Sequence, residues 1–134
     1  MRFLKLLVVA AIAAIALVDL PELPAQDKVG AGTYKGTYTG AAGSGDFHLT
    51  LKADGSGFTG LVGFTIMGEE VPGKFTTLKI DGAKIEMAYD FDLQGTKLTS
   101  AAEGTLKGKT LEGTYKTSAE GAVVDQGTWK TTQQ

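Results

Sequence analysis

From Ala83 to Leu93 the chain alternates without a break. Ile85, Met87, Tyr89, Phe91 and Leu93 fall on one side, and Lys84, Glu86, Ala88, Asp90 and Asp92 on the other. Successive side chains of a strand point to opposite faces, so this period predicts one long strand with an apolar face and a wet face. The chain beyond residue 32 repeats the theme in shorter pieces. Tyr34, Gly36 and Tyr38 alternate with Lys35, Thr37 and Thr39, and Phe47, Leu49 and Leu51 with His48, Thr50 and Lys52. Phe58, Gly60, Val62, Phe64 and Ile66 share a face, as do Leu98, Ser100, Ala102, Gly104 and Leu106. Leu111, Gly113 and Tyr115 continue the pattern, and Gly127 and Trp129 close it. No stretch of this part has helical periodicity.

The connections are short. Asp54-Gly55 and Asp81-Gly82 are hairpin signals, read here as turns whose two central residues both take positive φ. Gln94-Gly95-Thr96 and Lys107-Gly108-Lys109 are two further turns. Ala41 to Gly45 reads as a small-residue loop, Gly68 to Gly73 as a longer acidic connection with Pro72 inside it, and Ser118 to Asp125 as a loop. Lys74 to Ile80 is the least regular strand: Leu78 and Ile80 share a face while Phe75 lands on the other, and a bulge would restore the register.

About eight antiparallel strands in sequence order, each with one apolar face, bury that face by closing on themselves or by packing as two sheets. Nearest-neighbour hairpins favour an all-β, antiparallel up-and-down barrel, whose closure also removes free edges. Gly36, Gly60, Gly104, Gly113 and Gly127 fall on the inward face, where they make room or let strands coil sharply. A membrane barrel would present the apolar face to lipid and needs strands of about 10 residues. The strands read here are mostly shorter, which argues against it.

The first 25 residues differ in kind. Arg2 and Lys5 precede the apolar run Leu6 to Val18, followed by Asp19, Glu22, two prolines and the small residue Ala25. This is the pattern of a secretory signal peptide helix, with cleavage expected after Ala25, or alternatively after Ala16. The run holds about 13 residues, roughly 20 Å as a helix, against a bilayer core of about 30 Å, so it is too short for a retained anchor. The expected organisation is a signal peptide over 1–25, a lead-in over 26–32 and a single barrel over 33–132. The protein is then periplasmic or secreted, with no membrane insertion after cleavage. Two basic and two acidic residues precede Gln26, so the net charge of −2 belongs to the exported part as well. That balance supplies no basic patch for nucleic acid. The chain has no cysteine, so its core must hold the fold without disulfides.

The segments Gly32 to Gly36, Lys52 to Gly60, Ile80 to Gly82, Gly104 to Gly108 and Gly127 to Thr131 carry a resemblance. Their pattern is an opening Gly-x-aromatic-x-Gly, a Lys-x-Asp-Gly turn leading to Thr-Gly, an Ile-Asp-Gly turn, a Gly-Thr-Leu-x-Gly segment and a closing Gly-Thr-Trp. It resembles a recurrent, largely uncharacterised exported β-domain of bacteria, over nearly all of the exported chain. The matching pieces are turns and packing glycines, so the likeness speaks for fold and hardly for function. A more distant similarity is to the lipocalin and avidin group of up-and-down barrels, with Tyr34 where that group carries a tryptophan. The likeness implies the architecture. It does not imply biotin binding, whose cage needs several tryptophans where this chain has only Trp129.

No catalytic motif stands out, and no enzyme activity and no cofactor are expected. His48, the single histidine, sits on the outward face with no partner placed by spacing, so no metal site is expected. Asp90 and Asp92 share the outward face; as paired carboxylates they could serve a hydrolase, but such chemistry needs one of them protonated by burial. Ser44, Ser56, Ser100 and Ser118 lack a nucleophile-elbow context. The inward aromatics are more informative. A barrel of this strand number is either filled by its own side chains or keeps a cavity for one small ligand. The leading expectation is non-catalytic binding of a small apolar or amphipathic ligand, with Tyr34, Tyr38, Tyr89, Phe91 and Trp129 as its contacts. The alternative is a solid-core module of the cell envelope acting through its surface, with Leu61, Val123 and Val124 as the residues to test.

Overall fold

The computed structural model describes residues 28–134. The run Leu6 to Val18 and the expected cleavage points after Ala16 and Ala25 lie outside the described residues. The described chain forms eight strands: β1 (Gly32–Gly40), β2 (Ser44–Asp54), β3 (Gly57–Ile66), β4 (Glu69–Asp81), β5 (Lys84–Leu93), β6 (Thr96–Lys107), β7 (Thr110–Ala119) and β8 (Ala122–Gln133). Each pairs antiparallel with its sequence neighbours, and β1 pairs with β8 to close the barrel. No helix occurs among the described residues.

The turns differ between the two ends. At one end Met67-Gly68, Gln94-Gly95 and Glu120-Gly121 have positive φ at both central residues, the type I′ arrangement. At the other end Gly55, Gly82 and Gly108 take φ of 64°, 62° and 63° while Ser56, Ala83 and Lys109 do not turn positive. That is the II′ arrangement, with glycine at the first central position. The expectation for Asp54-Gly55 and Asp81-Gly82 is corrected by one residue. Asp54 pairs with Gly57 and Asp81 with Lys84, so each aspartate ends its strand and the glycine opens the turn.

Two expected connections are strand. Gly68 to Gly73 is a tight turn followed by β4, and Ser118 to Asp125 is the end of β7, the Glu120-Gly121 turn and the start of β8. Both were obscured by broken alternation. β4 is laddered to β3 only over Glu69–Gly73, and to β5 only over Lys74–Asp81. Pro72, which has no N–H to donate, therefore sits in a stretch paired on one side. The bulge expected in β4 lies between Phe75 and Thr77 and returns Phe75 to the inner side, edge-on to Tyr89. A second irregularity falls where Thr117 pairs with Asp125 and Ser118 with Val123, leaving Val124 unmatched.

The strands run to between 9 and 13 residues, longer than the sequence suggests, so strand length does not separate this fold from a membrane barrel. The faces carry the distinction. Outward positions such as Lys35, Lys52, Lys79, Glu86 and Glu103 are exposed and charged, and the apolar set points inward.

The core is not uniform along the axis. The largest fully buried side chains are Tyr34, Leu49, Leu51, Ile85, Met87, Leu111 and Thr131, all towards the II′ end. Burying a side chain of the size of leucine or methionine stabilises by about 1.5–3 kcal/mol, so this end is the anchor of a fold without disulfides. The lead-in seals it. Val29 is 3% exposed and its N–H donates to Gly82 O at 2.8 Å. Towards the other end the lining becomes aromatic. Gly104 pairs with Gly113, and Gly113 with Trp129, so the indole lies over two glycines. A Cβ at Gly104 would sit 2.6 Å from Trp129 Cζ2 and 2.8 Å from Glu112 O.

Candidate ligand cavity

Above the packed end the barrel is hollow. A cavity of about 480 Å³ opens at the type I′ end. Phe47, Phe64, Tyr89, Phe91 and Trp129 form its walls, and Ala42, Met67 and Val124 its rim. The rings hold one another in fixed geometry. Phe64 meets Phe91 edge-on at 4.8 Å and Tyr38 at 6.0 Å; Tyr38 meets Tyr115 edge-on at 5.9 Å, and Phe47 lies 5.4 Å from Trp129. Such contacts favour edge-to-face arrangements because ring faces are negative and ring edges positive. The walls are thus a preformed apolar surface.

A few polar groups are set into it. Ser100 and Thr117 share a buried 2.6 Å hydrogen bond, and the Tyr89 hydroxyl is hydrogen bonded to Ser100. Tyr38 donates to Thr65 O at 2.6 Å, and Trp129 Nε1 donates to Thr114 O at 3.1 Å. Tyr115 donates to Asp125 Oδ2 at 2.8 Å, while Asp125 Oδ1 accepts the Ala42 N–H at 2.9 Å. Burial pushes the Tyr89 phenol up to about 12, with a smaller push from Tyr38, while the Ser100 hydrogen bond pulls it down. Burial raises Tyr115 further, and the hydrogen bond to Asp125 and the Asp125 charge add to it. Tyr38 is raised by burial and then by Asp125. All three phenols are neutral around pH 7, and the shifts keep them so to higher pH.

Four of the five residues singled out from the sequence, Tyr38, Tyr89, Phe91 and Trp129, line this cavity. Tyr34 does not. It is fully buried at the packed end, where its hydroxyl donates to Gly30 O at 2.9 Å and accepts the Gly30 N–H at 3.3 Å. Its position on β1 places it one inward step below Gly36 and two below Tyr38, on the sealed side of the barrel. The sequence reading put Ser100 and Tyr115 on the inward face without naming them as ligand contacts, and it missed Thr117 and Asp125 as lining residues. The signal for Asp125 was present, because it continues the inward parity of Trp129 and Gly127, but the segment read as a loop.

The outward candidates make local contacts. His48 Nε2 and Glu70 Oε2 lie 2.7 Å apart across β3, over Gly63, where a Cβ would meet both. Asp90 accepts from Thr99 at 2.7 Å and faces Lys97 at 3.5 Å. The Thr99 hydroxyl and then the Lys97 ammonium hold its carboxyl below the usual range, the opposite of what a catalytic acid needs. Among the described residues no three His, Cys, Asp or Glu converge on a metal-sized site. No protein-family model, no curated protein and no solved structure matches the chain.

Proposed function

We propose that this is an exported, non-catalytic barrel protein that holds a small apolar or amphipathic molecule in its open end. The observation that carries the reading is the aromatic cavity of about 480 Å³ above a sealed floor. Pockets for small ligands lie in the range of about 300–1,000 Å³, mostly apolar with a few fixed polar groups. The sealed end gives the molecule rigidity, and the cavity gives it a preformed apolar surface. The N-terminal run behind Arg2 and Lys5 supports export to the periplasm or beyond. The charged outer face supports a barrel that stays in water after cleavage, and the chain's acidic balance speaks against a nucleic-acid partner.

Native mass spectrometry of the protein purified gently from its own envelope fraction tests the reading. The expected result is a reproducible added mass that is lost on denaturation and absent from Tyr89→Ala. A bare monomer mass in the presence of envelope lipid extract overturns it. A second reading has one observation in its favour: Leu61, Met67, Val123 and Val124 are large, apolar and exposed. In that reading the barrel is a scaffold for a protein partner, and a co-purifying protein lost on Val123→Ser with Val124→Ser supports it.

A further inference from the structure

The cavity carries one charge. Its lining contains Asp125 and no Lys, Arg or His. The Asp125 carboxylate is inward-facing and part-buried, and both of its hydrogen bonds come from neutral donors, the Tyr115 hydroxyl and the Ala42 N–H. A carboxylate has about four acceptor sites, so about two remain for a ligand. The ion pairs among the described residues, His48–Glu70 and Lys97–Asp90, leave it without a cation. An anion beside an apolar wall with no partner charge is costly, and the cost falls when a cation arrives. The backbone makes room for it: a Cβ at Gly40 would lie 2.6 Å from Oδ1 and 2.7 Å from Oδ2.

The surroundings suit a cation as well. The Tyr115 hydroxyl is bonded to the carboxylate, and Tyr38 stands perpendicular to Tyr115 with ring centroids 5.9 Å apart, so two phenols lie close to Asp125. The turns at this end carry Glu69 and Glu120 and no lysine, while those at the sealed end carry Lys84, Lys107 and Lys109 against Asp54 and Asp81, so the opening is the more negative end. A field of that sense draws cations to the opening and repels anions.

We infer that the cavity takes an amphipathic amine, its protonated nitrogen at Asp125 beside Tyr38 and Tyr115 and its apolar body against Phe47, Phe64 and Trp129. The inference rests on the ligand-binding function proposed above and narrows its ligand class. A fatty carboxylate of the same shape would meet Asp125 with no cation to hold it.

Three probes of one chain length separate the head groups: n-decylammonium, 1-decanol and decanoate, below their micellar concentrations at pH 7.5 and low salt. Binding is read from Trp129 fluorescence and by calorimetry. The ammonium is expected to bind on the order of tenfold tighter than the alcohol, which is the scale of one partly desolvated ion pair, and decanoate weaker than both. In Asp125→Asn, which keeps the size and an acceptor oxygen, the ratio of amine to alcohol affinity falls towards one. Equal binding of amine and alcohol by the unaltered protein, or tighter binding of decanoate, overturns the amine assignment and leaves the cavity as an apolar site. Absence of binding by all three overturns the cavity reading together with it.

Discussion

Alkali should loosen this barrel through Tyr89, and the effect is separable from the rest of the protein. Tyr89 is 4% exposed, and its phenol is pushed from 10.0 up to about 12, first by burial. In the unfolded chain it titrates near 10. Below pH 10 both states keep the proton and the stabilisation is fully present. Between 10 and about 12 the unfolded chain ionises while the folded protein does not, so stability is lost as pH rises. The loss from this group is about 1.4 kcal/mol at pH 11 and approaches about 3 kcal/mol above pH 12. Tyr38 and Tyr115 are raised too and add losses of the same sign, so the informative quantity is a difference between two proteins. Tyr89→Phe removes the ionisation while Ser100 keeps its bond to Thr117, at a neutral-pH cost of about 0.5–1.5 kcal/mol. Urea unfolding followed by far-ultraviolet circular dichroism at pH 8 and pH 11 measures both. The stability gap between the unaltered protein and Tyr89→Phe should close or reverse at pH 11. A gap of equal size at the two pH values would refute the argument that burial holds this phenol neutral.

Three further outcomes follow from the fold. Gly104→Ala forces a methyl against Trp129 Cζ2 and the Glu112 carbonyl and should cost about 1–3 kcal/mol in urea unfolding, with a shifted Trp129 emission. Gln94 takes a φ of 52° ahead of Gly95, a strained conformation for glutamine, so Gln94→Asn should stabilise by about 0.5–1 kcal/mol, read as a higher urea midpoint. Tyr34→Phe leaves both polar groups of Gly30 without the phenol and should cost about 1–3 kcal/mol; hydrogen exchange at the Val29 amide, bonded to Gly82 O, should quicken with it.

Much of the architecture was legible because a strand's period is two and every strand here faces one core. The runs at Phe47–Leu51 and Ile85–Leu93 carry their own face assignment, and each Gly in the turns marks where the chain reverses. Legibility failed where alternation failed. The Val124 irregularity hid the start of β8, and with it Asp125. Glu69 to Gly73 looked like a connection because that half of β4 is paired on one side and interrupted by Pro72. Tyr34 and Tyr38 are equivalent in the sequence, both inward aromatics of β1. Only their heights differ, and one lies beside the sealing lead-in while the other meets the cavity.

The sequence by itself determined the approximate strand number and, wherever alternation is unbroken, the inward and outward faces, because these depend on neighbours within a few residues. The tertiary structure alone decided which end is closed, where the core is hollow and which carboxylate faces inward among the rings. Those properties depend on groups far apart in the chain: Val29 against Gly82, Trp129 over Gly104, Asp125 bonded to Ala42. Volume and unpaired charge belong to the closed barrel and to no single strand, so they come into being only when β1 meets β8.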